Sequence, residues 1–124
     1  MLTTAQVLIA LIGAGVVLMG ARGILAPQAT VGFGIPDTPA DDPTLLAWLR
    51  VKAARDIGCG LVLLVVLLGG TTQLAGSSLV AAALIPVGDA LVVLRSGGPR
   101  AIGYGVHAAT AAVMVAVGVL ALLA

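Results

Sequence analysis

Four ionisable residues interrupt stretches of this chain that are otherwise almost entirely apolar. They are Arg55, Asp56, Asp89 and His107. Charged side chains are costly inside membrane helices, so they usually face a paired or functional interior site. A carboxylate beside a histidine can act as a general acid–base pair, because histidine exchanges protons near neutral pH. These four residues are therefore candidate catalytic groups for proton transfer.

In this hypothesis Asp89 is the acid or base and His107 is its partner. Arg55 would stabilise developing negative charge, and Asp56 would orient the other groups as a second carboxylate. The reaction expected of such a site is isomerisation or cyclisation of a lipophilic small molecule, and whether the protein is an enzyme at all stays open. Because an exposed pocket residue contributes little to packing, we expect His107→Ala to abolish ligand binding or turnover while leaving folding nearly intact.

The elements that must position these groups follow from composition. Hydrophobic residues make up 60% of the 124 residues and charged residues 9%, whereas soluble domains average about 25% charged residues. A helix needs about 20 apolar residues to cross a bilayer core of about 30 Å. The sequence therefore predicts an all-α, single-domain protein over residues 1–124, an integral membrane bundle of four transmembrane helices. The predicted helices are 5–25, 44–69, 77–94 and 101–123, with a loop at 26–43.

The length of the second helix decides where its charges lie. From Ile57 to Leu68 there are twelve uncharged residues, which span only about 18 Å at about 1.5 Å per residue. A complete crossing must therefore include Arg55 and Asp56. The first helix is interpreted as retained rather than as a cleaved signal, because no basic residue precedes it.

All six basic and five acidic side chains fall at one end of the predicted bundle if the four crossings alternate in direction. The positive-inside rule then places the loops 26–43 and 95–100 in the cytoplasm and both termini outside. The expected location is the inner (plasma) membrane, as a multi-pass protein. Four further residues at this end are predicted to bind the ligand: Arg22, Phe33, Trp48 and Tyr104.

The loop 26–43 contains four prolines and two glycines, so it cannot be helical throughout. Either it folds back over the mouth of the bundle as a lid, or it lies among the lipid headgroups. In the third helix, Pro86 is expected to free the Ala82 carbonyl and to kink the helix.

A structural role for the charged residues is the alternative. Ion pairs such as Arg55–Asp89 or Arg22–Asp56 would fix helix register, and His107 would donate to a carbonyl freed by Pro86. The protein would then be a non-catalytic membrane subunit or an oligomeric scaffold, with homo-oligomers among its assemblies. The formal net charge of +1 argues against a nucleic-acid partner. No metal-ligand spacing or cofactor fingerprint is present, so neither a metal nor a cofactor is expected.

Three motifs carry a resemblance to a known group of proteins. They are Ala54–Leu61 on the second helix, Pro86–Leu91 on the third and Gly105–Ala108 on the fourth, and the segment Gly32–Pro36 also fits. The chain resembles a family of small bacterial and fungal membrane proteins of unknown function that are similar to the DoxX-like four-helix group. This resemblance implies a four-helix fold with these polar residues as its signature. DoxX is linked to a quinone-coupled oxidoreductase, and that link reaches this chain only at the level of the fold.

Overall fold

The computed structural model describes residues 2–124, and within them the chain forms helices and turns without a strand. Three helical units are long and apolar enough to cross a membrane, and their bounds are Thr4–Leu25, Thr72–Arg95 and Arg100–Leu123. The protein is therefore all-helical, and its three long apolar helices indicate a membrane-embedded protein. The elements in chain order are α1 (Thr4–Leu25), a 3-10 helix (Pro27–Phe33), α2 (Pro43–Gly69), α3 (Thr72–Ala82), α4 (Leu84–Arg95), α5 (Arg100–Ile102), a π-helix (Gly103–Ala108) and α6 (Ala109–Leu123).

Each predicted helix starts earlier in the structure, by one residue in three cases and by five residues in the third unit. Polar caps fix the starts of that unit and of α2. The third unit begins at Thr72 rather than at residue 77, since the Thr71 hydroxyl accepts the Leu74 amide at 3.1 Å. In α2 the Asp42 carboxylate accepts the Thr44 amide at 2.7 Å. That helix therefore starts at Pro43, where proline suits the first helical position.

Glycines bring α1 and α2 into close antiparallel contact. A Cβ added to Gly13 would lie 2.9 Å from the Leu64 side chain, and one added to Gly20 would lie 2.6 Å from the Ala53 carbonyl oxygen. A later residue of α1 thus contacts an earlier residue of α2, as expected for antiparallel helices. Small residues permit such close backbone approach between apolar helices.

The last unit runs antiparallel to the third, because a Cβ on Gly76 would lie 2.8 Å from the Ala121 side chain, whereas one on Gly118 would meet Val80. The starts of α1 and α3 share an end of the bundle, since Gln6 Nε2 donates to Thr72 Oγ1 at 3.0 Å. The loops at 26–43 and 95–100 therefore meet at the other end. We call this the charged end, because the six basic and five acidic side chains lie on its half of the bundle.

The helices pack tightly at the uncharged end and diverge toward the charged end. The buried cluster at the uncharged end joins α1, α2, α3 and α6: Ala5, Ile9, Leu63, Ala75, Leu79, Ala83, Met114, Val117 and Ala121. The third unit then breaks at Ala83, between α3 and α4. Pro86 explains the break, because it has no N–H to donate to the Ala82 carbonyl. Beyond it, α4 packs mainly on the π-helix and α6 rather than on α2.

The loop after α1 folds back across the charged end. After the 3-10 helix, Gly34 turns the chain with a φ of 114°, a conformation that favours glycine. A Cβ on Gly34 would lie 2.7 Å from Ile102 and 3.0 Å from Val93, so the backbone is pressed against α4 and α5. The sequence left two alternatives for this loop, a lid over the mouth of the bundle or a segment among the headgroups. Its contacts with α4 and α5 are those expected of a lid.

Candidate functional site

The divergence of the helices leaves a cavity of about 380 Å³ between the α1–α2 pair and the α4–π-helix pair. We call it the inner cavity. Small-molecule sites typically measure about 300–1,000 Å³ and combine apolar walls with a few convergent polar groups. The ionisable side chains that line this cavity are Arg22, Lys52, Asp56, Cys59, Asp89 and His107.

A second cavity of about 490 Å³ lies between the loop and α2. We call it the loop cavity. Lys52, Asp89 and Phe33 line both this cavity and the inner cavity. The two cavities therefore adjoin at Lys52 and Asp89, and residues of the loop line both of them.

A π-helix positions His107. The six residues Gly103–Ala108 form this wider turn at the start of the last unit, where π-helical segments often mark functional sites. A Cβ on Gly103 would lie 2.7 Å from the Leu94 side chain, so the π-helix approaches α4 closely. The histidine is consequently only 8% exposed.

One side of the imidazole is fixed by the loop. His107 Nε2 lies 2.9 Å from the Phe33 carbonyl oxygen, and the two rings are tilted with centroids 4.4 Å apart. Since a carbonyl oxygen only accepts, Nε2 must carry a hydrogen and donate it. The predicted alternative, a bond from His107 to the carbonyl freed by Pro86, is therefore wrong. The accepting carbonyl comes from the loop instead.

The other side of the imidazole faces Asp89. His107 Nδ1 and Asp89 Oδ2 are 4.0 Å apart, which exceeds the normal hydrogen-bond range of about 2.7–3.2 Å. Polar groups separated in this way are commonly bridged by an intervening water or ligand atom. The two residues predicted as an acid–base pair thus face each other across a gap.

Lys52 is a member of the site that sequence reasoning missed. Its Nζ lies 2.8 Å from Asp56 Oδ2 and 5.3 Å from the centroid of the Phe33 ring. The first contact has a sequence signal, because side chains four residues apart are neighbours on a helix. The second has none, since Phe33 reaches Lys52 only through the fold of the loop.

The structure separates Arg55 and two aromatic residues from the other predicted site residues. Arg55 is exposed and lines neither cavity. The side chains of Trp48 and Tyr104 are 65% and 60% exposed and also lie outside both cavities. Arg22 and Phe33 do line the inner cavity, as do Asp56, Asp89 and His107.

The interhelical ion pairs considered from the sequence, Arg55–Asp89 and Arg22–Asp56, are not formed. Within residues 2–124 the contacts at or below 4.0 Å between a basic and an acidic side chain are Lys52–Asp56 and His107–Asp89. In the same range, no cluster of three or more histidine, cysteine or acidic side chains is arranged to hold a metal ion. Of the four residues in these two predicted pairs, Arg22, Asp56 and Asp89 border the inner cavity. None of the three is directly hydrogen-bonded to an oppositely charged side chain on another helix.

A double-mutant cycle tests whether Arg55 and Asp89 interact. Because Arg55 does not contact Asp89, the destabilisations caused by Arg55→Ala and Asp89→Ala should add to within about 0.5 kcal/mol. Unfolding free energies of the two single variants and the double variant in detergent give the coupling. A coupling of about 3 kcal/mol, of the size seen for broken buried pairs, would instead establish a direct ion pair.

Comparison with known proteins gives one match. No curated protein and no solved structure is detectably similar to the chain, so the DoxX-like part of the resemblance stays a prediction. A family model described as a domain of unknown function, DUF4267, matches residues 13–121. That stretch contains every residue of both predicted site groups, from Arg22 to His107. The chain therefore belongs to the DUF4267 family, the domain of unknown function that this model describes.

Proposed function

We propose that this protein crosses the membrane with four helices and binds a lipophilic small molecule in the inner cavity. The fourth crossing would be α2, whose 27 residues measure about 40 Å at about 1.5 Å per residue. Its composition is less apolar than that of the other three units, yet Lys52 and Asp56 line the cavity rather than facing lipid. Arg55, the thirteenth of these 27 residues, is exposed, and its long side chain would extend along the helix toward the headgroups.

The observation that carries the proposal is the gap between Asp89 and His107 within a mainly apolar cavity. A scaffold would require ion pairs that join different helices. The directly bonded pair here, Lys52–Asp56, lies within α2 and cannot fix the register of one helix against another. The remaining ionisable groups are better placed to meet a ligand than to hold helices together.

The chemistry that fits these groups is proton transfer. In an isomerisation, one of Asp89 and His107 would remove a proton from the ligand and the other would return a proton at a second position. Such a reaction requires no added oxidant or reductant. Lys52 takes the role considered for Arg55, because its ammonium group lines the cavity and could stabilise developing negative charge. Asp56 would orient Lys52 through their 2.8 Å contact.

Ligand retention tests the proposal. Protein reconstituted into nanodiscs from a bacterial total lipid extract should carry a small lipophilic molecule that native mass spectrometry detects. Asp89→Asn should lower its occupancy at least about tenfold, the equivalent of about 1.4 kcal/mol of lost binding free energy. Asp41→Asn is the matched control, because Asp41 lies in the loop outside both cavities. Equal occupancy in all three proteins, or none in any, would favour the non-catalytic scaffold.

The same proposal includes an orientation in the inner (plasma) membrane. The concentration of lysine and arginine at the charged end supports cytoplasmic loops at 26–43 and 95–100 and external termini. Alkaline phosphatase fused after Ala124 should then be active, and a fluorescent protein at that position should be dark. An insertion at Gly97 should give the opposite pair of signals. A fluorescent C-terminal fusion together with an inactive phosphatase would reverse the orientation.

A further inference from the structure

The hydrogen-bonding groups around the gap restrict the chemistry of the ligand's polar head. Nε2 of His107 donates to the Phe33 carbonyl at 2.9 Å, so the ring presents only Nδ1 to Asp89. If Asp89 and His107 share one proton, that proton lies either on Nδ1 or on the carboxyl group. In both states one side of the gap offers a donor and the other side offers an acceptor.

A hydroxyl group matches both states. Its oxygen accepts a hydrogen bond from whichever of His107 and Asp89 holds the proton, and its hydrogen is donated to the other residue. An ether or ketone oxygen can only accept, which leaves Asp89 or His107 without a donor. An ammonium group can only donate, and a carboxylate can only accept.

The dimensions of the gap also suit an oxygen atom. Nδ1 and Oδ2 are 4.0 Å apart. If an oxygen atom lies about 2.8 Å from each of them, the Nδ1–oxygen–Oδ2 angle at that atom is about 90°. Such an atom sits beside the line joining the two residues, on the side of the cavity. The carbon that bears the hydroxyl can then extend into the cavity.

The cavity walls beyond the gap suit a lipophilic body. They include Ile12, Val16, Leu63, Ile85 and Met114. Because α4 packs on the π-helix and α6 rather than on α2, the space between α2 and α4 is not filled by helix contact. Cys59 on α2 and Ile85 on α4 line the cavity and are exposed, Ile85 by 47%. A molecule dissolved in the bilayer would enter the cavity between these two helices.

We infer that the inner cavity takes a lipophilic alcohol or enol whose hydroxyl group bridges His107 Nδ1 and Asp89 Oδ2. The body of the molecule lies between α2 and α4. This inference rests on the proposed function and adds to it the class of polar head group.

Two photoreactive probes test the head group. One is a long-chain alcohol carrying a diazirine, and the other is the methyl ether of the same molecule. With the full chain in phosphatidylcholine vesicles, the alcohol should label the cavity segments 49–63 and 102–114 at least about tenfold more than the ether. In Asp89→Asn the ratio should fall to about threefold or less, whereas Tyr104→Phe, outside both cavities, should keep the wild-type ratio.

The outcomes separate the two proposals. Equal labelling of the cavity segments by alcohol and ether in the wild-type protein would overturn the hydroxyl assignment and leave the ligand cavity intact. Labelling confined to the outward faces of the helices, with neither probe in the cavity segments, would overturn the ligand cavity as well. Because this comparison uses the wild-type chain, it holds even where Asp89→Asn fails to fold.

Discussion

Replacing His107 with alanine is expected to lower the free energy of unfolding by about 2–4 kcal/mol. The change leaves the Phe33 carbonyl without its donor, which costs about 1–3 kcal/mol. It also removes a ring contact with centroids 4.4 Å apart, and aromatic pairs contribute about 0.5–1.5 kcal/mol. Unfolding in detergent followed by circular dichroism measures the loss. Hydrogen exchange in the 3-10 helix should increase in the same variant, because the loop loses its bond to the π-helix.

Tyr104→Ala is the matched control for this change. Tyr104 lies on the same π-helix but is 60% exposed and outside both cavities, so its removal should cost less than about 0.5 kcal/mol. Equal stabilities of the two variants would show that the Phe33–His107 contact does not hold the loop. The burial of His107, at 8% exposure, reverses the sequence-based expectation that His107→Ala leaves folding intact. Loss of ligand binding in this variant must therefore be separated from loss of stability.

The broad arrangement of the helices could be predicted from the sequence because it depends on local properties. Long apolar stretches set the helices, and the missing N–H of Pro86 sets the break at Ala83. The grouping of the charges at one end follows from antiparallel packing of consecutive helices. These predictions need only residue types and their order.

The membership of the site depends on how each helix is rotated about its axis, and apolar helices give little sequence signal for that. Asp56 follows Lys52 by four residues and shares its face, whereas Arg55 is turned toward the exterior. The rotation of α2 is set by contacts such as Ala53 against Gly20. Trp48 and Tyr104 are likewise turned outward, with exposures of 65% and 60%.

The acceptor for His107 had no sequence signature at all. It is a backbone carbonyl, which every residue has, and Phe33 reaches the ring only because Gly34 turns the loop against α4 and α5. The π-helix has no sequence signature either, since the two glycines in Gly103–Ala108 weaken an α-helix without selecting a π-helix. Tertiary contacts decide both features.

Adding a methyl group at Gly60 is expected to lower the unfolding free energy by about 1–3 kcal/mol, the usual cost of overpacking. The Cβ of Gly60→Ala would lie 2.7 Å from the Gly13 carbonyl oxygen and 3.0 Å from the Val17 amide nitrogen. Both atoms belong to the backbone of α1, so the two helices must move apart. Gly58→Ala is the control, since no atom lies within 4 Å of its added Cβ. That variant should be unchanged or stabilised by up to about 1 kcal/mol through its higher helix propensity.

The same pair of variants connects packing with the site. Gly60 lines the inner cavity, so a displacement of α2 from α1 also moves Lys52 and Asp56 relative to Asp89. Gly60→Ala should therefore reduce labelling of the cavity by the alcohol probe, while Gly58→Ala should keep it. Thermal unfolding in the same vesicles gives the stability difference between the two variants. If the two variants unfold at the same temperature, α1 and α2 are not held in the close contact that shapes one wall of the cavity.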